Sequence, residues 1–291
     1  MKNIFSLTKR NLLLFFRNKS EVFFSFLSVI IILGLYVLFL SDLQVTNIKA
    51  SIGDVAGVEA LVNSWVMAGL IAVSTATLSL GALGRIVADK QSNAIKDFLV
   101  APVKREQVFL SYIFSAVIIA TFISFILIII SEIYIVLSGG VLLTFIQLLK
   151  VIGITVLCVL SSSLSLLFIV SFLSNEQTLG VLSTIVGTMI GFLTGAYIPM
   201  GIMPNAIQVV SNVIPVSQGA SLLRKVFLEQ PMTEVFGNSP QLVSEYSKMQ
   251  GIDLYFGSFE LTSNFMVIFI IGSIIIFTIM NIIRFRNMKN N

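Results

Sequence analysis

Apolar residues in this chain are gathered into six runs, and polar residues are concentrated between them. Each run reaches about the 20 residues that one helical crossing of a bilayer requires. The runs cover residues 22–40, 62–84, 108–130, 141–173, 179–198 and 265–283. The fourth is longer than one crossing needs, which indicates a tilted helix or an interfacial extension. The pattern predicts an all-α integral membrane protein with six transmembrane helices in one domain, residues 1–291.

Composition agrees with this class. Mean hydropathy is +1.00, and only 11% of the residues are charged, whereas soluble domains carry roughly 25%. The chain has no histidine, and its one cysteine, Cys158, lies inside an apolar run. Metal sites need clustered ligands, and a nucleophilic cysteine or histidine needs a positioned partner. We therefore expect no catalytic site, no metal and no bound cofactor in this chain.

Lysine and arginine are distributed unevenly around the runs. They cluster before the first run, between residues 85 and 105, and after the sixth run. Because basic loops remain on the cytoplasmic side, both termini and the loop at 85–107 are predicted to be cytoplasmic. The net charge of +4 follows this topology and does not indicate a nucleic-acid partner. Abundant Lys, Asn, Ile and Phe indicate an AT-rich bacterial genome, hence a bacterial plasma membrane.

Two segments outside the runs have amphipathic patterns. In residues 85–101, apolar residues fill one arc of a helical wheel and charged residues the opposite arc. This pattern predicts a helix on the membrane surface that ends at Pro102. Residues 1–21 predict a second, weaker interfacial helix. The alternative for this N-terminal segment is a positively charged orientation signal only.

Small residues form stripes along the predicted second and fifth spans. The fifth carries Gly180, Thr184, Gly187, Thr188, Gly191 and Gly195, and the second carries Ser64, Ala68, Ala72, Thr75, Ser79 and Ala82. Small residues let helices approach closely in lipid, so ordinary packing explains both stripes. The functional alternative is a translocation path or a sliding subunit interface. Its hydroxyl groups would belong to Thr75, Ser79, Thr184 and Thr188.

Proline and glycine interrupt the chain after the fifth run. They leave two short apolar segments, near 205–213 and 216–228, that cannot cross a bilayer. Backbone that enters the membrane without crossing it must be helical or shielded by protein. We predict two short re-entrant helices within an external region at 199–263. An ordinary surface helical hairpin is the alternative.

The chain carries no evident energy source of its own. Glu132 is the only acidic candidate within the membrane, whereas ion-coupled pumps usually keep paired ionisable groups at depth. The Gly-x4-Gly-Lys-[Ser/Thr] loop that binds nucleotide phosphates is absent from the sequence. These observations argue against a secondary transporter and against an ATPase within this chain.

Two stretches resemble the membrane subunit of type-two ABC exporters, a permease family that includes drug, antibiotic-peptide and polysaccharide exporters. One reads Asp89-Lys-Gln-Ser-Asn-Ala-Ile-Lys-Asp-Phe-Leu-Val-Ala-Pro-Val-Lys-Arg105. The other reads Gly195-Ala-Tyr-Ile-Pro199 and continues through Met203-Pro204 to Pro215. The resemblance extends over essentially the whole chain.

The resemblance implies a half-transporter in membrane lipid. Two permeases would pair as a homo- or heterodimer, each docked on a separate cytoplasmic ATPase subunit that binds ATP and Mg²⁺. The charged helix would be the coupling helix, and its coupling residues would be Asp89, Lys90, Gln91, Asn93, Ala94, Ile95 and Lys96. The path would open toward an external gate that includes Pro199, Pro204 and Pro215.

On this reading the chain is a permease and not an enzyme. Its cargo would be an amphipathic drug, peptide, lipid or glycan. The main alternative is a resistance-sensing or signalling subunit whose ATPase drives a conformational change without export. A membrane-embedded enzyme is disfavoured because histidine, a usable cysteine and a carboxylate pair at depth are missing from the sequence.

Overall fold

The computed structural model describes residues 2–36, 41–53, 55–100, 103–237, 239–257 and 259–287, and they are mostly helical. The helices are α1 (Lys2–Arg17), α2 (Lys19–Leu35), α3 (Ser41–Ile52), α4 (Val58–Gln91), α5 (Ala94–Val100), α6 (Arg105–Leu137), α7 (Phe145–Val170), α8 (Glu176–Leu193), α9 (Asn205–Asn212), α10 (Pro215–Phe227), α11 (Glu229–Phe236), α12 (Pro240–Met249) and α13 (Ser263–Asn287). One 3-10 turn covers Met200–Ile202. A short antiparallel hairpin, β1 (Tyr255–Phe256) and β2 (Phe259–Glu260), precedes α13.

Five helices in the described part of the chain are long and apolar enough to span a membrane. They are α4, α6, α7, α8 and α13, and they coincide with the predicted second to sixth runs. This confirms a multi-pass, all-helical membrane protein. The predicted first run corresponds to α2, but residues 37–40 lie outside the described residues. The count of six spans therefore stays a prediction.

Helix α4 lies at the centre of the bundle. It packs against α6, α7, α8 and α10, and α13 packs against α7 and α10. Small residues of α4, including Ala68 and Ala72, are fully buried where these helices meet. Large apolar side chains such as Ile118 of α6 and Ile268 of α13 remain exposed. This arrangement is typical of a membrane bundle, in which close packing at small residues draws helices together and lipid covers the outside.

The charged segment 85–101 is not the single surface helix that its pattern predicts. Its first part is the last turns of α4, which continues without a break to Gln91. Asn93 then has φ 62°, and α5 begins at Ala94. Asparagine is one of the few residues besides glycine that adopts this left-handed conformation readily, and that conformation ends a helix. Pro102, the predicted end of the segment, lies outside the described residues.

The two short segments after the fifth run are helices, as predicted. They are α9 and α10, and they meet at 90°. Pro204 precedes α9, and Pro215 is the first residue of α10, where its fixed φ suits a helix start. Helix α10 packs on α4, α7 and α13, and Ala220 and Leu223 are fully buried. This burial favours a helix shielded by protein over a surface hairpin; its depth in a bilayer stays a prediction.

The short helices and the ends of the long helices lie at two opposite ends of the bundle. We call the end that carries α1, α5 and the last turns of α4, α7 and α13 the basic end. The opposite end carries α9 to α12 and the hairpin. The region at 229–262, which has no clear pattern in the sequence, contains α11, α12 and this hairpin.

Candidate functional site

A buried ion cluster joins three helices at the basic end. The carboxylate of Asp89 in α4 is fully buried and accepts a hydrogen bond from Arg10 of α1 at 2.6 Å. It also accepts from Arg85 and from the Tyr112 hydroxyl of α6. The hydrogen bond between Arg10 and Asp89 raises the pKa of Arg10 above its ordinary value, so the Arg10 guanidinium stays charged. The Asp89 carboxylate is thus occupied inside the chain, and its role as a docking contact stays a prediction.

Lys90 and Gln91 connect α4 to the turn between α7 and α8. The half-buried ammonium of Lys90 donates to the carbonyl oxygens of Ser171 and Leu173, at 2.7 and 3.0 Å. The Gln91 side chain accepts a hydrogen bond from the backbone N–H of Glu176 at 2.7 Å. Lys90 is therefore not the free docking contact that the pattern predicts. Both residues lie on the extension of α4, which carries them into contact with their neighbours.

One part of the exposed surface at this end is the corner between α4 and α5. Its members are Gln91, Ser92, Asn93 and Asp97, all of them exposed; we call this set the α4–α5 corner. Ala94 and Ile95 are half-buried, and Ile95 packs against the main apolar core. The side chain of Lys96 lies outside the described residues. Sequence reasoning missed Ser92 and Asp97, because a continuous helical wheel does not show where the helix turns.

A groove of about 560 Å³ opens between α2, α4 and α8. Three predicted path residues of α8 line it: Thr184, Gly187 and Thr188. Further small or polar residues that line it are Ser74, Thr77 and Gly81 of α4 and Ser183 of α8. The rest of the lining is mostly apolar. This groove is the candidate path, and three of the predicted α8 residues lie on its wall; their role in a path stays a prediction.

The predicted α4 residues Thr75 and Ser79 do not line the groove. Thr75 and Ser79 are fully buried within the bundle, and the Ser163 hydroxyl of α7 donates to the Ser79 hydroxyl at 3.0 Å. The stripe that contains them is packing surface, which was the alternative reading of the same pattern. The groove uses a neighbouring face of α4. Ser74, Thr77 and Gly81 are three and four residues apart, so they share one face of the helix. This spacing was the signal in the sequence for the face that lines the groove.

The last two glycines of the α8 stripe shape a turn and not a helix interface. A Cβ on Gly191 would overlap the ring of Tyr197, and the Gly191 carbonyl accepts the N–H of Ala196 at 2.9 Å. Gly195 follows the end of α8 and has φ +66°, which favours glycine. Neither glycine lines the groove, and their part in a path stays a prediction. At Gly187, in contrast, no heavy atom of the described residues lies within 4 Å of an added Cβ.

The turn after α8 is held by a buried arginine. Arg224 of α10 is 1% exposed and donates to the carbonyl oxygens of Thr194 and Gly195, at 3.0 and 2.8 Å. Its guanidinium carbon lies 4.9 Å from the ring centroid of Trp65 in α4. Among the described residues no carboxylate pairs with it. Its signal in the sequence was a cation inside the apolar segment at 216–228.

The three predicted gate prolines lie at helix starts. Pro199 precedes the 3-10 turn, Pro204 precedes α9, and Pro215 begins α10. They fix where these helices begin, because proline cannot donate a backbone hydrogen bond. Arg224 connects the same region to α4 and α8. The three prolines thus lie at the end of the bundle opposite the α4–α5 corner, and their role in a gate stays a prediction.

Comparison with known proteins gives one family. A family described as an ABC-2 type transporter matches residues 2–228. The matched region includes the ion cluster, the α4–α5 corner, the groove and Arg224. No curated protein matches the chain. Within the described residues, no group of three or more His, Cys, Asp or Glu side chains could hold a metal ion.

Proposed function

Because the chain belongs to the ABC-2 type transporter family, we propose that it is the membrane subunit of an ATP-driven exporter. In this proposal it pairs with a second permease, and each permease docks on a separate cytoplasmic ATPase that binds ATP and Mg²⁺. The family makes it a transport permease that is not itself catalytic. The membrane is the plasma membrane of a bacterium, with both termini in the cytoplasm.

The observation that carries the proposal is the continuity of α4 between the corner and the groove. Gly81 lines the groove and Gln91 lies at the corner, ten residues further along one unbroken helix. At 1.5 Å per residue this is about 15 Å of rigid helix. A force applied by the ATPase at the α4–α5 corner therefore acts directly on one wall of the groove.

The second wall of the groove is connected to the same corner. Gln91 accepts the N–H of Glu176, the first residue of α8, and Lys90 binds the preceding turn. The ion cluster around Asp89 adds α1 and α6 to this unit. Movement of the corner therefore reaches both α4 and α8, and the width of the groove changes with the state of the ATPase.

The groove provides half of the proposed path. Thr184 and Thr188 of α8 are exposed in the single chain, and a second permease facing them would close the path. The mostly apolar lining suits an amphipathic drug, peptide, lipid or glycan. At the opposite end, α9 and α10 would act as the external gate, with Pro199, Pro204 and Pro215 fixing the helix starts.

The test of this function is a double substitution at the corner. Ser92→Trp with Asp97→Lys places bulk and opposite charge on two exposed side chains. We expect loss of ATPase co-purification and of stimulated ATP hydrolysis, while membrane insertion and thermal stability of the permease are unchanged. The ATPase to use is the one that co-purifies with the wild-type chain.

Glu245→Lys is the matched control, because Glu245 is an exposed carboxylate in α12 at the opposite end. It should leave docking intact. Unchanged hydrolysis and co-purification in the corner variant would contradict the proposed coupling site. Stimulated hydrolysis without uptake of labelled cargo by inverted vesicles would contradict export and favour a sensing subunit.

A further inference from the structure

The polar groups of the groove offer mainly hydrogen-bond acceptors. Exposed hydroxyl groups of α8 donate to carbonyl oxygens of their own helix: Thr184 to Gly180 and Thr188 to Thr184, at 3.0 and 2.8 Å. Thr77 does the same, toward Val73 and Ser74. Each of these hydroxyls keeps a free lone pair and has no remaining O–H to donate. A ligand in the groove therefore meets oxygen atoms that accept.

One carboxylate, that of Glu21 in α2, also lines the groove. It accepts a hydrogen bond from the Asn18 amide at 3.2 Å, and it has no ion pair within the described residues. Burial raises the pKa of the Glu21 carboxyl, while the Asn18 hydrogen bond and the charge of Arg85 oppose that rise. The Arg85 guanidinium itself binds Asp89. Among the described residues, the Glu21 carboxylate thus has no counterion in contact.

The groove is amphipathic along its length. Glu21 lies near the start of α2, at the basic end, and Ile31 lies ten residues further along the same helix, about 15 Å away. Leu70 and Val73 of α4 line the groove with Ile31. A carboxylate at one end and an apolar surface beyond it match a molecule with the opposite distribution of charge.

We propose that the groove binds a lipophilic cation, with its positive group beside Glu21 and its apolar body against Ile31, Leu70 and Val73. This inference names the cargo class and rests on the proposed function, although binding itself needs no ATPase. Attraction to the unpaired carboxylate and to the acceptor oxygens favours a cation. The same groups repel an anion of equal shape.

Glu21 also has a local structural role that the test must separate from binding. Its backbone N–H donates to the Asn18 side chain at 3.3 Å, and its carboxylate accepts from the same side chain. The Asn18 side chain thus caps the start of α2. Glutamine keeps the backbone N–H that donates to Asn18 and a side-chain oxygen that can accept from it, so Glu21→Gln removes the charge and leaves the helix start intact.

The experiment measures protection of a cysteine in the groove of the full chain in lipid nanodiscs. Ser183→Cys places a thiol on the exposed α8 wall, and the wild-type chain is the background because its one cysteine, Cys158, is fully buried. Maleimide labelling is followed with tetraphenylphosphonium and with tetraphenylborate, two ions of the same shape and opposite charge.

We expect tetraphenylphosphonium to slow labelling and tetraphenylborate to have no effect. Glu21→Gln should raise the half-protecting concentration of the cation about two- to fivefold, the range for one partly exposed charge pair. Glu106→Gln changes an exposed carboxylate outside the groove. This control should leave the half-protecting concentration of the cation unchanged.

Three results would overturn the proposal. The first is equal protection by both ions, and the second is an unchanged half-protecting concentration of tetraphenylphosphonium in the Glu21→Gln variant. The third is a thiol that is unreactive because a second copy of the chain fills the groove. Failure of the corner variant to uncouple the ATPase, with cation protection retained, would overturn only the proposed function. The two failures are therefore distinguishable.

Discussion

At the scale of single residues, Arg224 and Lys225 are neighbours in α10 with different environments. Lys225 forms a partly exposed salt bridge with Asp253 at 2.7 Å. Arg224 is buried, and no carboxylate in the described part of the chain pairs with it. Its guanidinium instead contacts the carbonyl oxygens of Thr194 and Gly195 and the ring of Trp65. A buried charge is costly unless hydrogen bonds compensate for it. Stability at the opposite end therefore depends on the guanidinium group.

Arg224→Met should lower the thermal unfolding midpoint of the purified permease, with a loss of roughly 2–4 kcal/mol, because carbonyl oxygens become unsatisfied in the interior. Lys225→Met is the matched control and should cost less than about 1 kcal/mol, since its ion pair is partly exposed. Thermal scans in detergent measure both. Equal midpoints for the two variants would show that the Arg224 contacts contribute nothing particular.

At the scale of elements, α1 is held by its contact with α4 and α6. Arg10 carries the ion pair to Asp89 and also lies over the Phe98 ring of α5, at 5.0 Å from its centroid. Asn11 faces Ser115 of α6 at 3.5 Å. The N-terminal helix is thus fixed to the elements that make up the α4–α5 corner, which a positively charged orientation signal alone would not require.

Arg10→Leu should loosen α1 without unfolding the bundle, because Asp89 keeps Arg85 and Tyr112. The pair contributes about 1–2 kcal/mol, so amide exchange in residues 2–17 should become about five- to thirtyfold faster. Lys9→Leu changes the exposed neighbour and should leave exchange as it is. Hydrogen–deuterium exchange followed by mass spectrometry gives both rates. Identical protection in the two variants would mean that the ion pair does not hold α1.

At the scale of the whole molecule, the candidate spans differ most in the fraction of each helix that is buried by the rest of the chain. The apolar window of α4 is 89% buried, whereas that of α8 is 11% buried. Helix α8 therefore offers most of its surface to lipid or to another chain. In the proposed dimer its open glycine side faces the second permease.

Gly187→Leu should reduce dimer formation and transport and leave the stability of the single chain unchanged, since no described atom lies near an added Cβ. Gly272→Leu is the control, because Gly272 of α13 has equally open surroundings among the described residues. Cross-linking in nanodiscs reports the dimer, and thermal scans report stability. A normal dimer in the Gly187 variant would exclude this side of α8 from the interface.

Much of the fold follows from local properties of the sequence. Apolar runs of sufficient length predict the spans, and Pro204 and Pro215 mark the starts of α9 and α10 because proline suits the beginning of a helix. The amphipathic N-terminal segment predicts α1. The small residues Thr184, Gly187 and Thr188 also predict part of the groove, since they share one side of a helix.

The contacts of each helix face were decided only by the tertiary structure. A period of 3.6 residues shows which side chains share a face, but in a bilayer both lipid and neighbouring helices are apolar, so the pattern does not distinguish them. For this reason Thr75 and Ser79 pack inside the bundle while Ser74 and Thr77 line the groove. Likewise, the sequence determined that Asp89 and Arg224 are charged. Only the arrangement of helices around them decided that both are buried, because their partners come from distant parts of the chain.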